Sequence, residues 1–344
     1  MGRARRVGVD FTFNGKNVKG IIDPFIESVT YQDIARDKSD SIDLTLQDVE
    51  GKWISDWYPR KGDNMEAAFE FTDWNKDGDS FSLTCGRFYI DDMSFSGNPR
   101  SAKISGVAIP AKKSFTTRER NKTWKKATIK KIATKIAQRY KLTLSYKAPN
   151  ITVSNLEQSN QTDSAFLYKL CDSYNLGMKV YNDKLIIYDP GKMEQQEVAC
   201  MLTPSSFIDG GWSFSDTLDG VYNGCRISFT PKANSSDTKS IYFGWVKESA
   251  DNARTLKVSE RANSKADAKY KACAAINKSN EQATTLSGEI WPDKRIVSGV
   301  TVEVRGFGIP DGKYFVDKVT TTYSGGGATV NVEMHKCQRR LRRV

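Results

Sequence analysis

Paired carboxylates are the side chains in this 344-residue sequence that are best suited to chemistry. Asp91 is followed directly by Asp92, and Asp216 lies three residues before Asp219. Glycoside hydrolysis needs two carboxyl groups, one acting as acid and the other as base or nucleophile. Both pairs nevertheless lie in stretches typical of strands or turns, where carboxylates are common. The sequence therefore favours structural roles for these residues, and we assign no catalytic residue.

Residues 73–79, with Asp73, Asn75, Asp77 and Asp79, resemble the start of a calcium-binding EF-hand loop. Such a loop requires a bidentate glutamate at its twelfth position, where this sequence has a threonine. The flanking residues also alternate like strands instead of continuing as helices. The segment is therefore predicted to be a polar hairpin turn, with Trp74 as an exposed aromatic side chain at its tip that could contact a partner.

Other ligand chemistry finds little support. The chain has a single histidine, His335, in a basic C-terminal stretch, so zinc sites and histidine-based triads are nearly excluded. The glycine-containing turns at residues 306–308 and 325–327 lack the Lys-Ser/Thr of a phosphate loop. We expect no metal and no cofactor. The six cysteines form no CxxC pair and are expected to be reduced thiols; they are Cys85, Cys171, Cys200, Cys225, Cys273 and Cys337.

The charge of the chain is unevenly distributed. Lysine and arginine number 52 against 41 acidic residues, a net charge of +11. Residues 111–141 hold twelve of these cations with one acidic residue, Glu119. Apolar residues at helical spacing predict a helix over residues 127–140, capped near Thr123. We favour a solvated basic face on a docked helix, and a surface for an acidic partner or nucleic acid is the alternative.

Three domains are expected from the strand and helix patterns. Alternating strands and turn residues predict a first β domain at residues 1–113. A small α+β middle domain follows at residues 114–200, with a second helix over residues 163–174 capped by Asp163 and a hairpin across residues 182–184. Residues 201–344 form a second β domain with an alanine-rich helix at about residues 260–280 and a basic C-terminal tail. We expect neither a signal peptide nor a membrane span, because a bilayer requires about 20 apolar residues.

Two distant segments of the chain are similar to each other. Residues 86–93 (GRFYIDDM) match residues 312–319 (GKYFVDKV) in residue class at each position, and each segment is followed by a Ser-Gly turn and another alternating strand. Gly62 and Gly299 precede the strands upstream of the two segments. Coincidence between two generic hairpins is one explanation. The other is a duplicated β domain, with the α+β unit and the alanine-rich helix inserted between its copies.

Several short motifs follow one another along nearly the whole chain. They are Arg5-Arg6-Val7, Asn14-Gly15-Lys16, residues 41–46 with Asp48 and Gly51, Trp53, Trp57-Tyr58-Pro59, Lys61-Gly62, and residues 85–92, 163–172 and 312–317. Their order resembles the phage late control protein D family, the baseplate hub proteins of contractile tails. These proteins are related to the hub part of type VI secretion spike proteins and to the hubs of phage-like bacteriocins.

The resemblance implies a mainly β fold, with two tail-tube-like β-barrels and a small α/β middle domain in each subunit. It implies a non-enzymatic homotrimer in the virion tail baseplate, assembled in the bacterial host cytoplasm. Three copies of a duplicated domain present six similar faces, so the trimer could join a hexameric tail tube to a trimeric central spike as a symmetry adapter.

Further partners implied by the resemblance are the baseplate wedge and tape measure proteins, with no membrane and no nucleic acid. No spike β-helix and no lysozyme-like domain is recognised, so the spike and any peptidoglycan-cleaving enzyme are expected to be separate proteins. Whether the particle is an infectious phage or a bacteriocin stays open. Two alternatives are retained, a tail-associated peptidoglycan hydrolase and a nucleic-acid-binding protein that uses residues 111–141.

Overall fold

A computed structural model describes residues 4–110, 114–229, 238–260, 262, 264–325 and 327–341. Strands dominate this part of the chain and confirm the mainly β class with an α+β insertion. The strand Ser41–Gln47 shows the cause, since it buries every second side chain, as the two-residue repeat of a strand requires. Within the described ranges, no helix combines the length and the apolar character that crossing a bilayer would demand.

The first β unit is built from residues 6–107. Its elements are β1 (Arg6–Phe13), β2 (Lys16–Asn17), α1 (Lys19–Ile22), a 3-10 turn (Asp23–Phe25), β3 (Ile26–Ile34), β4 (Ser41–Gln47), β5 (Asn64–Thr72), β6 (Ser80–Ser96) and β7 (Ser101–Val107). β1 and β2 meet at Asn14-Gly15, where both residues have the positive φ that such a two-residue turn requires. The buried faces of these strands meet in one hydrophobic cluster that contains Phe11, Phe69 and Phe88.

The middle α+β unit has its own hydrophobic core. Its elements are α2 (Ser114–Thr117), β8 (Glu119–Thr128), α3 (Ile129–Arg139), β9 (Thr143–Lys147), β10 (Thr152–Thr162), α4 (Asp163–Ser173), β11 (Gly177–Tyr181), β12 (Lys184–Tyr188) and α5 (Pro190–Met193). β8 pairs with β10, and β12 pairs with both β11 and β9. The apolar faces of α3 and α4 cover these sheets, with Ile132, Ile136 and Leu167 fully buried.

The predicted helices and hairpin of the middle unit are confirmed, but both caps were assigned to the wrong residue. Thr128, not Thr123, caps α3, because its hydroxyl accepts a hydrogen bond from the Lys131 amide while Thr123 lies within β8. Thr162 caps α4 by accepting from the Ala165 amide, and Asp163 is the first helical residue. In both cases the strand continues to the residue before the helix.

The remaining elements follow after α5. They are β13 (Val198–Leu202), a 3-10 turn (Pro204–Ser206), β14 (Phe207–Asp216), β15 (Gly224–Phe229), β16 (Lys239–Gly244), β17 (Thr255–Ser259), α6 (Lys265–Asn280), β18 (Thr284–Ile290), β19 (Thr301–Val304), β20 (Gly312–Ser324) and β21 (Gly327–Lys336). β15, β16 and β17 form a separate sheet, and α6 packs on it through small residues such as Ala268 and Ala272. This alanine-rich helix begins at Lys265 with Ser264 as its cap, slightly later than predicted.

One sheet unites the first and last β units. Its strands run in the order β14-β18-β21-β20-β3-β4-β7-β6-β5-β1-β2, with β19 on β20 and β13 on β19. β3 and β20 are the strands that join the two units, although they are far apart in sequence. Each unit keeps its own core, the second one around Tyr314, Val316 and Val332. The strand pairing gives an open order for this shared sheet. Closure of each unit into a barrel therefore stays a prediction.

Candidate assembly interface

The strands on the two sides of the β3–β20 junction follow the same order. The first unit has β3-β4-β7-β6-β5-β1, and the last has β14-β18-β21-β20-β19-β13. Corresponding neighbours are antiparallel in both units, except that β13 runs parallel to β19 whereas β1 is antiparallel to β5. The small sheet and α6 are inserted between β14 and β18, where the first unit has only the short connection of residues 35–40.

The backbone repeats in detail at the two similar sequence segments. The β6–β7 register shifts at Asp91, and the β20–β21 register shifts at Asp317, the corresponding residue. The Gly62 amide donates to the Ile90 carbonyl at 2.7 Å, and the Gly299 amide donates to the Val316 carbonyl at 2.8 Å. Both glycines have positive φ, which L-residues avoid. Of the two explanations for the similarity of residues 86–93 and 312–319, the repeated backbone therefore favours a duplicated β domain over coincidence.

The junction between the units is a regular antiparallel pairing. It runs from Ile34 opposite Lys318 to Ser28 opposite Ser324. Beyond it the Ala35 amide donates to the Asp317 carbonyl at 2.8 Å. Tyr31 and Thr321 lie opposite each other and are both buried. The pairing thus covers the edges of two strands that would otherwise be open to other chains.

A lysine of the middle unit is bound at this junction. The Lys179 ammonium contacts Asp33 Oδ1 at 2.5 Å and Asp40 Oδ1 at 2.9 Å, and the Ser298 amide donates to Asp33 Oδ2 at 2.8 Å. Burial raises the pKa of Asp40 to about 6, although Lys179 acts in the opposite direction. Because these groups come from all three units, their ion pairs fix how the units are placed relative to one another.

A second buried cluster holds the C-terminal stretch. His335 is not in a basic tail as the sequence analysis placed it; it lies in β21 and is 1% exposed. Its Nδ1 lies 2.7 Å from Asp317 and its Nε2 lies 3.1 Å from Glu194. Arg340 pairs with Glu194 and with Glu281, so the chain up to residue 341 is packed against the protein.

The charges of this cluster shift one another's protonation. Burial alone would raise the pKa of Glu194, but hydrogen bonds from Arg340 and His335 outweigh it and lower that pKa to about 2. Burial likewise opposes the charged form of His335, and the hydrogen bond with Asp317 overcomes it, so that the pKa of His335 is raised. The two carboxylates therefore favour the protonated form of the imidazole that lies between them. Arg342 and Arg343 of the predicted basic tail lie outside the described residues.

Trp74 is buried, so the prediction that it is an exposed side chain at the hairpin tip is wrong. Only 4% of the residue is exposed, and its indole Nε1 donates to the Pro292 carbonyl at 3.0 Å. Arg5 stacks over both Trp74 and Trp291. The hairpin of residues 73–79 is the predicted polar turn, since the Gly78 amide donates to Asp73 Oδ1 at 2.7 Å. Its tip therefore contacts the last unit of the same chain.

The paired carboxylates do not form a shared buried site. Asp91, Asp92, Asp216 and Asp219 are all exposed. Asp91 lies at the β6 bulge, and Asp216 accepts a hydrogen bond from the Thr284 hydroxyl at 2.9 Å. Across the described ranges, no three His, Cys, Asp or Glu side chains are grouped so as to hold a metal ion. Five of the six cysteines are buried, and no disulfide joins any of the six, all of which lie in the described ranges.

The basic segment combines a docked helix with internal ion pairs. Lys130, Lys131 and Lys135 are exposed on the outer face of α3, as predicted for a solvated face. Arg120 and Arg139 instead pair with the fully buried Asp163. Burial raises the pKa of that carboxyl, but the hydrogen bonds from Tyr140, Gln158 and Arg139 together lower it. Part of the positive charge is therefore used inside the middle unit.

Three strands were not predicted from the sequence: β3, which forms the junction with β20, and β14 and β18, which form the outer end of the shared sheet. A signal was present in Trp212-Ser213-Phe214-Ser215, which alternates apolar and polar residues as a half-buried strand does. Two adjacent glycines before it obscured that pattern, because Gly210 and Gly211 indicate a turn. Both lie within β14, at the register shift between Phe207 and Trp212.

The comparison with family models gave no match. Among curated proteins, a probable baseplate hub protein of Escherichia phage 186 is 26% identical over 182 residues, which are 52% of this chain and 44% of that protein. The match therefore spans less than half the length of this relative.

Solved structures of tail proteins share the fold over nearly the whole chain. A tail protein from Neisseria meningitidis MC58 is 14% identical and has a TM-score of 0.71, with 96% of this chain and 97% of that chain covered. An Escherichia coli protein described as a type VI secretion component similar to T4 tail proteins has a TM-score of 0.57 and 11% identity, with 98% and 78% covered. The resemblance of this chain to phage baseplate hub proteins is thus confirmed by sequence over about half of the chain, and the solved tail proteins share its fold over nearly all of it.

Proposed function

We propose that this chain is the structural hub of a contractile phage tail or a phage-like particle. In this role it joins the hexameric tail tube to the trimeric central spike in the baseplate. The observation that carries the proposal is the repeated strand order on the two sides of the β3–β20 junction. One chain thereby presents the same sheet arrangement twice, and the similarity to a phage protein named as a probable hub gives that arrangement a context.

Symmetry explains why a repeated unit suits this role. Three copies of a chain with two similar units carry six similar surfaces, which can match six subunits of a tube. The parts that differ between the units, namely the inserted sheet with α6 and the middle unit, occur once per chain and therefore three times per trimer. They provide threefold features for a spike and for surrounding baseplate proteins, including wedge and tape measure proteins.

The hub proposal makes the chain non-enzymatic. The carboxylates that a hydrolase would use are exposed in a bulge, at the end of a strand and in a turn, and they do not come together in a shared buried site. A nucleic-acid-binding protein could use exposed cations of the basic segment, such as Lys125 and Lys126 on β8 and Lys130 on α3. Arg120 and Arg139 of the same segment are instead paired with the buried Asp163. Neither alternative accounts for the duplicated strands.

Light scattering and binding measurements test the proposal. We expect the purified protein to form trimers and to bind the tail tube protein and the spike protein encoded beside it. Monomers that bind neither protein at any concentration would overturn the hub. Cleavage of peptidoglycan that is lost in Asp91→Asn or Asp216→Asn would favour the hydrolase, and duplex binding that weakens steeply with salt would favour the nucleic-acid alternative.

A further inference from the structure

Among the described residues, the outer edges of β14 and of part of β6 have no neighbouring strand, although their counterparts in the other unit are paired. The outer edge of β14 and the outer edge of residues 92–96 in β6 pair with no strand among the described residues. The counterpart of β14 is β3, and the counterpart of residues 92–96 is the part of β20 at residues 318–322. These two counterparts pair with each other at the junction. The unpaired edge of β14 therefore corresponds to the β3 side of the β3–β20 junction, and the unpaired edge of β6 corresponds to its β20 side.

Burial supports this equivalence residue by residue in β6. Each residue at positions 92–96 is more exposed than its counterpart in β20. Where the β20 residue is buried, the β6 residue is half-buried, and where the β20 residue is half-buried, the β6 residue is exposed. The equivalent pairs are Asp92 and Lys318, Met93 and Val319, Ser94 and Thr320, Phe95 and Thr321, and Ser96 and Thr322. Phe95 is half-buried and stacks on the exposed Tyr58, whereas Thr321 is fully buried.

The same difference holds in β14. Trp212 is 40% exposed, while its counterpart Val29 is fully buried. Phe214 is half-buried where Tyr31 is buried. The side chains that face the core at the junction are thus the ones left partly open at the free edges. Large apolar side chains beside an unpaired strand edge are typical of a contact surface, because an open edge readily pairs with another chain.

We propose that β14 of one copy pairs antiparallel with residues 92–96 of a second copy, in the register of the β3–β20 junction. Transferring that register places Ser94 opposite Ser215, Phe95 opposite Phe214 and Ser96 opposite Ser213. The two edges lie on opposite sides of the shared sheet, so a second copy supplies the missing strand. This inference rests on the proposed hub and deepens it by naming the contact through which its copies join.

The geometry of the proposed contact determines how copies assemble. The two edges are different surfaces, so each copy uses β14 toward one neighbour and β6 toward the other. A head-to-tail contact of this kind closes into a ring or continues as a filament. Around a closed ring of three copies, intrachain β3–β20 junctions and β14–β6 contacts between chains alternate. Every unit then has an equivalent neighbour on each side.

Disulfide trapping tests this register. The Ala35 amide donates to the Asp317 carbonyl, so Ala35 and Asp317 form a hydrogen-bonded pair. Hydrogen-bonded and non-hydrogen-bonded pairs alternate along an antiparallel ladder, so the Gln32–Thr320 pair, three positions along, is a non-hydrogen-bonded pair. Such pairs have Cα atoms about 4.5 Å apart, a separation that a disulfide can bridge. The equivalent pair between copies is Ser94 with Ser215. We expect Ser94→Cys/Ser215→Cys, after mild oxidation, to give covalent dimers and trimers on a denaturing gel.

The controls separate the contact from the trimer itself. Ser94→Cys alone and Ser215→Cys alone should give no covalent oligomer, and Gln32→Cys/Thr320→Cys should form its disulfide within one chain. A trimer in light scattering without trapping of Ser94→Cys/Ser215→Cys would overturn the register and leave the hub standing. Trapped chains longer than three copies would support the contact and overturn the trimer. A monomer without any trapping would overturn the contact.

Discussion

At the scale of single residues, the buried histidine makes stability depend on pH. The folded state raises the pKa of His335 above 6.5, so it binds a proton more tightly than the unfolded chain does. Its contribution to stability is complete below the ordinary pKa and is lost as the pH rises through the raised pKa. The raised pKa of Asp40, about 6, also makes stability fall as the pH rises toward 6, so the two groups have to be distinguished. We expect the free energy of unfolding in urea to fall from pH 6 upward, and His335→Gln, which replaces the single histidine of the chain, to make that decline smaller. An identical slope in both proteins would contradict the assignment.

The burial of Trp74 leads to a prediction that distinguishes it from an exposed anchor. Trp74→Ala removes an aromatic side chain from the contact between the first and last units and leaves a cavity, so we expect a loss of about 3–5 kcal/mol in the free energy of unfolding. Trp212→Ala is the matched control, since that tryptophan is 40% exposed and its loss should cost the monomer much less. Urea unfolding measures both. Equal losses would show that Trp74 does not hold the two units together.

At the scale of elements, two substitutions can show which threonine caps α3. Thr128→Ala removes the hydroxyl that accepts from the Lys131 amide, and such a loss costs about 1 kcal/mol. Thr123→Ala changes an exposed residue within β8 and should have little effect. The difference between the two variants in urea unfolding checks that the helix begins after Thr128. A larger loss for Thr123→Ala would restore the cap that the sequence suggested.

Local sequence predicted the elements that depend on local signals. The Asn14-Gly15 turn, the hairpin at residues 182–184 and the three main helices follow from turn residues and periodicity, and the structure has all of them. The β3–β20 junction was not predicted, because the pairing of two strands almost 300 residues apart leaves no local pattern. Burial of Trp74 and His335 was missed for the same reason, since each is covered by residues from a distant part of the chain. The similarity of residues 86–93 and 312–319 was the one long-range signal that the sequence carried.

At the scale of the whole molecule, the two β units share one strand order, whereas the inserted parts occur once in the chain. Both units keep the same strand order and the same bulge, which are the features that a neighbour along the sheet must match. The insertions lie elsewhere, between β7 and β13 and between β14 and β18. Insertions at connections leave strand edges unchanged, because loops tolerate added residues far better than paired strands do. In the proposed trimer, the repeated β unit would occur six times and each added part three times.

Charge substitutions at the proposed contact test this assembly in solution. Ser94 and Ser215 are exposed in the single chain, so replacing them should not disturb its fold. Ser94→Lys/Ser215→Lys places like charges opposite each other, which destabilises each contact by about 0.2–1 kcal/mol and acts at three contacts in a trimer. Ser94→Glu/Ser215→Lys should restore association. Sedimentation at several protein concentrations measures the effect, and added salt should narrow the difference because it screens exposed charges. Equal trimer stability in both variants would place the contact between copies elsewhere.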